Sequence, residues 1–236
     1  MLLVGFTASP AAAERKPGID VSRFNEQIDW SQVADSEIRF AFVQASRGAG
    51  DDCEVKPQRC GPDGLYAVNY AEATANGIRV GAYHRAFATG EGRAGARADA
   101  RAEARIFVKE VDKLHRGDLL PALDVETPFG GLSAAELRLW VRTWLNFVER
   151  KLRARPIVYT NVSSWAALGD PTEFADAGHP LWVANFDVDV PLVPADNWGG
   201  QGWSIWQFTS SGTVAGVEGR VDRNVLRGGF RALSVR

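Results

Sequence analysis

Apolar positions along the chain follow two rhythms. Short, almost continuous apolar runs occupy Ile38–Ser46, Arg79–Phe87 and Leu119–Glu126. Runs of that length suit strands covered on both faces. Between them lie longer stretches with helical spacing. Leu65–Asn76 predicts a helix ended by Gly77, a residue suited to a left-handed C-cap. Ala94–His115 hides an amphipathic helix beneath an Ala/Arg alternation, with Ala100, Ala104, Phe107, Val108, Val111 and Leu114 on one face. Ser133–Ala154 is the clearest helix: Ser133 and Glu136 form a capping box. Its stripe is Leu137, Val141, Trp144, Leu145, Val148 and Leu152, which places Trp140 and Trp144 in the core.

Further strands are predicted at Gly18–Ser22, Pro156–Asn161, Pro180–Phe186 and Gly202–Thr209, with a short one within Val217–Asn224 and a short helix at Ser31–Glu37. Strands alternate with helices for two thirds of the chain, and no internal repeat or long linker interrupts them. The pattern implies an α/β fold on a parallel sheet. Eight strand candidates suggest closure into an irregular (β/α) TIM-like barrel with a helix-poor second half, whose chemistry would sit at the C-terminal strand ends.

The stretch Leu119–Glu126 ends in two carboxylates, Asp124 and Glu126, separated by one valine. On a strand both would point to one face, with Cα atoms roughly 6.5–7 Å apart at a rise of about 3.3 Å per residue. Asp20 sits at another strand end. Crowded acids resist joint ionisation, so one can keep its proton near neutral pH, as glycosidic bond cleavage requires. By spacing alone, a structural hydrogen-bonding pair or half a metal site fits equally well.

Composition narrows the class. The formal net charge of −2 argues against a nucleic-acid or anionic-membrane partner. Eight Trp and twelve Phe suit both a core and a sugar-binding groove. Met1–Ala13 is uncharged and signal-peptide-like, too short to span a bilayer, and lacks the usual basic start, so the natural start is expected upstream. It points to a secreted or periplasmic protein. In that setting Cys53 and Cys60 are expected to close a small disulfide loop. Two Cys and the scattered His84, His115 and His179 show no zinc spacing, and no phosphate-binding Gly loop is present, so neither metal nor cofactor is expected.

Seven segments in order raise the odds of sugar chemistry. They are Gly18-Ile-Asp20-Val-Ser22 with Ile28-Asp29-Trp30, Gly81-Ala-Tyr83-His84, Leu123-Asp124-Val-Glu126, Ile157-Val-Tyr159-Thr-Asn161, Trp182-Val-Ala184, Trp206-Gln207-Phe208, and Gly216 to Asn224. Together they make the chain resemble glycoside hydrolase family 25, the lysozymes or N-acetylmuramidases, from Gly18 to about Asn224. The resemblance implies one catalytic domain over 17–233, monomeric, acting on peptidoglycan glycan strands at the β-1,4 bond between N-acetylmuramic acid and N-acetylglucosamine. It implies Glu126 as general acid and Asp124 as the group that orients the substrate N-acetyl. Asp20 and Asp222 would complete the acidic cluster. Tyr83, Tyr159, Trp182, Phe186, Trp206 and Gln207 would bind substrate, and His84 would be a hydrogen-bonding wall residue.

Two departures from the family pattern stand out. Gln44-Ala-Ser46-Arg47-Gly48 replaces a Lys-Ala-Thr-Glu-Gly-like run, and Phe186 takes the place of a Tyr. They leave room for two other readings: a non-catalytic glycan-binding module, or a hydrolase of another N-acetylglucosamine polymer such as chitin.

Overall fold

The computed structural model describes residues 15–49 and 60–236. The signal-like Met1–Ala13 and Cys53 lie outside the described residues. Cys60 is buried.

Nine strands form one sheet: β1 Arg15–Val21, β2 Phe40–Arg47, β3 Gly61–Pro62, β4 Arg79–Arg85, β5 Ala122–Asp124, β6 Ile157–Thr160, β7 Leu181–Ala184, β8 Ile205–Gly212 and β9 Val221–Arg227. Their order is β1-β9-β8-β7-β6-β5-β4-β2-β3, and a further β1–β2 pairing closes eight of them into a barrel. The neighbouring pairs from β1 through β2 and β4 to β8 are parallel. β9 runs antiparallel to both β8 and β1. The connection 213–220 is too short for the crossover that a parallel strand would need, so the chain returns as a hairpin.

Among the described residues the right-handed α-helices are α1 Trp30–Asp35, α2 Tyr66–Ala75, α3 Gly92–Val111, α4 Ala134–Leu152, α5 Val162–Ala166 and α6 Glu173–Asp176. The last two are single turns, which makes the second half helix-poor as the pattern implied. α3 and α4 cover one side of the barrel. Ala96, Ala100 and Ala104 are fully buried, and these small side chains let α4 bring Trp140 and Trp144 close. The Ser133–Glu136 capping box is formed.

Strand alternation separates two apolar layers. Ile19, Val43, Val80, Leu123 and Val183 face the helices. Phe40, Phe42, Ala122, Ile157, Ile205 and Leu226 fill the lumen floor. Gly18 and Gly81 make room for that floor: a Cβ on either would lie 2.4 Å from a ring carbon of Phe40 or Phe42. Two glycines of the seven family-like segments are thus steric requirements of the barrel.

The expected strand Leu119–Glu126 is shorter than predicted. Pro121 has no N–H to give the ladder, so regular pairing begins at Ala122 and ends at Asp124. Glu126 lies beyond the strand, on the loop that leaves it.

Candidate active site

Above the lumen floor, the inward positions turn from apolar to polar. Asp20, Gln44, Tyr83, Arg85, Asp124, Glu126, Tyr159, Trp182, Phe186, Gln207 and Asp222 line one pocket of about 330 Å³, with Ser22, Phe24, Arg47 and Ser210 at its sides. The pocket lies at the C-terminal ends of the parallel strands. β9 is antiparallel, so its Asp222 reaches the same face from the beginning of its strand. A larger hollow of about 770 Å³ beside α1 contains Asp29. That carboxylate is occupied in capping α1 through the Ser31 and Gln32 amides.

All four predicted acids meet here. Asp20 and Asp222 are direct cross-strand partners. The Asp20 Oδ2 accepts hydrogen bonds from Gln207 Nε2 at 2.8 Å and Asn224 Nδ2 at 2.7 Å. Those amides are themselves fixed: Tyr159 donates to Gln207 Oε1 at 2.9 Å, and Trp182 Nε1 donates to Asn224 Oδ1 at 2.8 Å. Burial, with Asp222 opposite, holds the Asp20 carboxyl well above the usual carboxylate range. Burial likewise raises Asp222 to about 6; a hydrogen bond with Asp20 works the other way, while Glu126 and Asp124 add repulsion.

Asp124 and Glu126 share one cation. Arg85 Nε is 3.5 Å from Asp124 Oδ2 and 3.3 Å from Glu126 Oε1. The guanidinium is anchored by the carbonyls of Ala86, Glu126 and Thr127. Burial raises Asp124 well above its ordinary value; Arg85 pulls it back, and Glu126 and Asp20 add to the rise. Asp124 is the deeper of the two, with its side chain 10% exposed against 30% for Glu126. Its Oδ1 is buried and has no hydrogen-bond partner among the described residues.

Trp182 is the hub of the aromatic wall, with its ring 4.6 Å from Phe42, 4.8 Å from Tyr159 and 6.4 Å from Tyr83. Phe24 and Phe186 are exposed at the rim and offer flat apolar faces.

Trp206 corrects the sequence reading. Strand alternation puts Ile205 and Gln207 in the lumen, so Trp206 points outward, where its Nε1 donates to the Asn185 carbonyl at 2.7 Å. It does not line the pocket. His84 also faces away, between the sheet and the helices. It is fully buried, with Nδ1 2.8 Å from Ser46 Oγ and Nε2 2.6 Å from Glu103 Oε2. Sequence reasoning missed Arg85, although it shares the inward parity of Gly81 and Tyr83. It also missed Phe24, which lies in the single 3-10 turn Arg23–Asn25 and carries no periodic signal. Among the described residues no cluster of His, Cys, Asp and Glu is arranged to hold a metal ion. No described helix is long and apolar enough to cross a membrane.

Comparisons with known proteins point to one family and one fold. The model of the glycosyl hydrolases family 25 matches residues 19–217. Lysozyme M1 of Streptomyces globisporus is 32% identical over 94% of this chain and 71% of its own length. The N,O-diacetylmuramidase of Chalaropsis is 26% identical over 87% of this chain and 95% of its own. The crystal structure of a bacterial lysozyme from Streptomyces coelicolor superposes with a TM-score of 0.78 at 30% identity, covering 95% of this chain and 96% of that one.

Proposed function

The chain belongs to glycosyl hydrolases family 25 and is a glycoside hydrolase, and on that premise we propose a muramidase with Glu126 and Asp124 in separate roles. It cleaves the β-1,4 bond between N-acetylmuramic acid and N-acetylglucosamine in peptidoglycan. The observation that carries the division of roles is the unpartnered Asp124 Oδ1 beside the more exposed Glu126.

Glu126, at the pocket mouth, gives its proton to the glycosidic oxygen as the C1–O bond breaks. The carbonyl oxygen of the substrate's 2-acetamido group attacks C1 from the opposite face. Asp124 Oδ1 accepts the acetamide N–H and balances the positive charge that develops on that group. Glu126, now a carboxylate, then takes a proton from water as its oxygen attacks C1 and expels the acetamide oxygen. Two inversions give net retention. Asp20 and Asp222 hold the far wall, and Gln207 and Asn224 tie that wall to Tyr159 and Trp182. Tyr83, Tyr159, Trp182 and Phe186 supply sugar-contacting surfaces.

Residues 17–233 form one catalytic unit in this reading, 1–13 act in export, and Cys53 pairs with Cys60 outside the reducing cytoplasm. The test is mass spectrometry of digested peptidoglycan with wild type and Glu126→Gln. Wild type should generate muramic acid reducing ends. The variant should keep its fold and lose on the order of 10²–10⁴-fold in turnover, the usual contribution of general acid catalysis. Unchanged turnover in Glu126→Gln would refute the assignment. Cleavage of chitin alone would favour the other N-acetylglucosamine polymer, and binding without new reducing ends would favour a glycan-binding module.

A further inference from the structure

Arg47 is a pocket residue that the mechanism leaves unused. β2 carries an irregularity between Gln44 and Ser46. With strict alternation, Phe42 and Gln44 inside would put Ser46 inside and Arg47 outside. The bulge reverses this. Ser46 falls opposite His84 in the outer layer, and Arg47 falls in register with Arg85 on the pocket wall. A local backbone device therefore aims a guanidinium into a pocket built from acids.

Among the described residues that guanidinium has no anion. Arg85 is held by Asp124 and Glu126, and Arg23 pairs with Asp63 at 3.4 Å. The Arg47 side chain makes no ion pair or hydrogen bond among the described residues, and its Nε is buried without an acceptor. Aromatic rings hold it instead, Phe87 at 4.9 Å and Phe24 at 5.2 Å. Burial lowers its proton affinity, and the leading charge around it is another cation, Arg85. A planar fork fixed between rings, with its donors unused, is matched by a carboxylate.

We propose that Arg47 binds the free carboxylate of the lactyl ether on C3 of N-acetylmuramic acid, so that the enzyme prefers glycan strands stripped of their stem peptides. This rests on the muramidase reading and names the substrate form the same pocket selects. The C3 lactyl group is adjacent on the ring to the C2 acetamide, and Asp124, assigned to the acetamide, is among the charges that act on Arg47. In peptide-bearing strands the lactyl carboxyl is an amide and carries no charge. The preferred substrate is then the product of an amidase-type hydrolysis of the lactyl–peptide bond, and cleavage here follows that reaction.

The test uses the full chain on three soluble glycans of matched length, following new reducing ends. One carries free lactyl carboxylates, the second has them converted to methylamides, and the third keeps its peptides. Wild type should show kcat/KM on the first about tenfold or more above the other two, the scale of one charge-assisted pair, with most of the difference in KM. Arg47→Gln should bring the free and methylamide strands within about twofold of each other. Equal kcat/KM on those two strands in wild type overturns the proposal and leaves the muramidase reading intact. A preference that survives Arg47→Gln overturns the assignment to Arg47. No reducing ends from any strand overturns the muramidase reading itself. The comparison of free and methylamide strands uses native protein, so it does not depend on how a variant folds.

Discussion

Asp20 and Asp222 face each other across the β1–β9 ladder, so the first and last strands of the barrel place carboxylates at the same point of the pocket wall. Both are held above the ordinary range, and both lie too deep for water to screen them fully. The folded chain therefore keeps protons here that the unfolded chain releases near pH 4. Stability from this pair is complete below that pH and declines as pH rises through the folded values, about 6 for Asp222.

Asp20→Asn should make that decline shallower. It removes one of the two facing acids and keeps an oxygen for the Gln207 and Asn224 amides. Denaturant unfolding at pH 7 should show a gain of about 1 kcal/mol. Peptidoglycan turnover should fall on the order of 10²-fold, because the pocket wall loses one of its two facing carboxylates. A loss of stability at pH 7 would contradict the repulsion.

Arg85→Met should destabilise the fold by about 3–5 kcal/mol, the cost of leaving buried charge unpaired. Arg85 is the leading charge that holds the Asp124 proton affinity down. Without it Asp124 stays protonated to higher pH, and the acidic limb of the activity profile should move upward. A profile with an unmoved acidic limb would separate Arg85 from the ionisation of Asp124.

Trp206→Phe and Trp182→Phe distinguish the two faces of the sheet. The first removes a donor to Asn185 outside the pocket and should cost about 1–2 kcal/mol in stability with KM unchanged. The second frees Asn224, which holds Asp20, and should lower kcat. A raised KM in Trp206→Phe would return that residue to the groove.

Glu103 and His84 form a buried pair behind the pocket. Burial pushes Glu103 up to about 8 and His84 down to about 3. Glu103 stays protonated in the folded chain while the unfolded chain ionises near 4.5, so its contribution to stability falls as pH rises from there to about 8. His84 acts in the opposite sense: its contribution falls as pH drops from 6.5 towards about 3. Glu103→Gln should remove the first decline, flattening stability above pH 6.5 by up to about 1.4 kcal/mol per pH unit. An unchanged slope there would place the titration elsewhere.

The barrel, its helix-poor half and the meeting of the four acids were legible because strand alternation and the seven family-like segments constrain them. Gly18 and Gly81 show why: each spacing carries a steric demand that few other residues meet. Trp206 misled because a segment read as a unit contains both faces of its strand. Arg47 was visible as a departure from the family pattern but not as a pocket residue, since the bulge that turns it inward is set by hydrogen-bond register. Arg85 escaped because a cation among acids becomes intelligible only when the distances to both partners are known. The pattern implied a parallel sheet, and the antiparallel direction of β9 shows only in its pairing with β1 and β8.

That returning strand also governs when the chemistry can begin. Until residues 221–227 are in place, Asp20 has neither Asp222 opposite it nor the Asn224 amide, and Trp182 has no acceptor for its indole. Without that strand, Asp124 and Glu126 would stand beside an open barrel wall. The pocket is thereby a property of the whole barrel, complete only when its last strand joins its first.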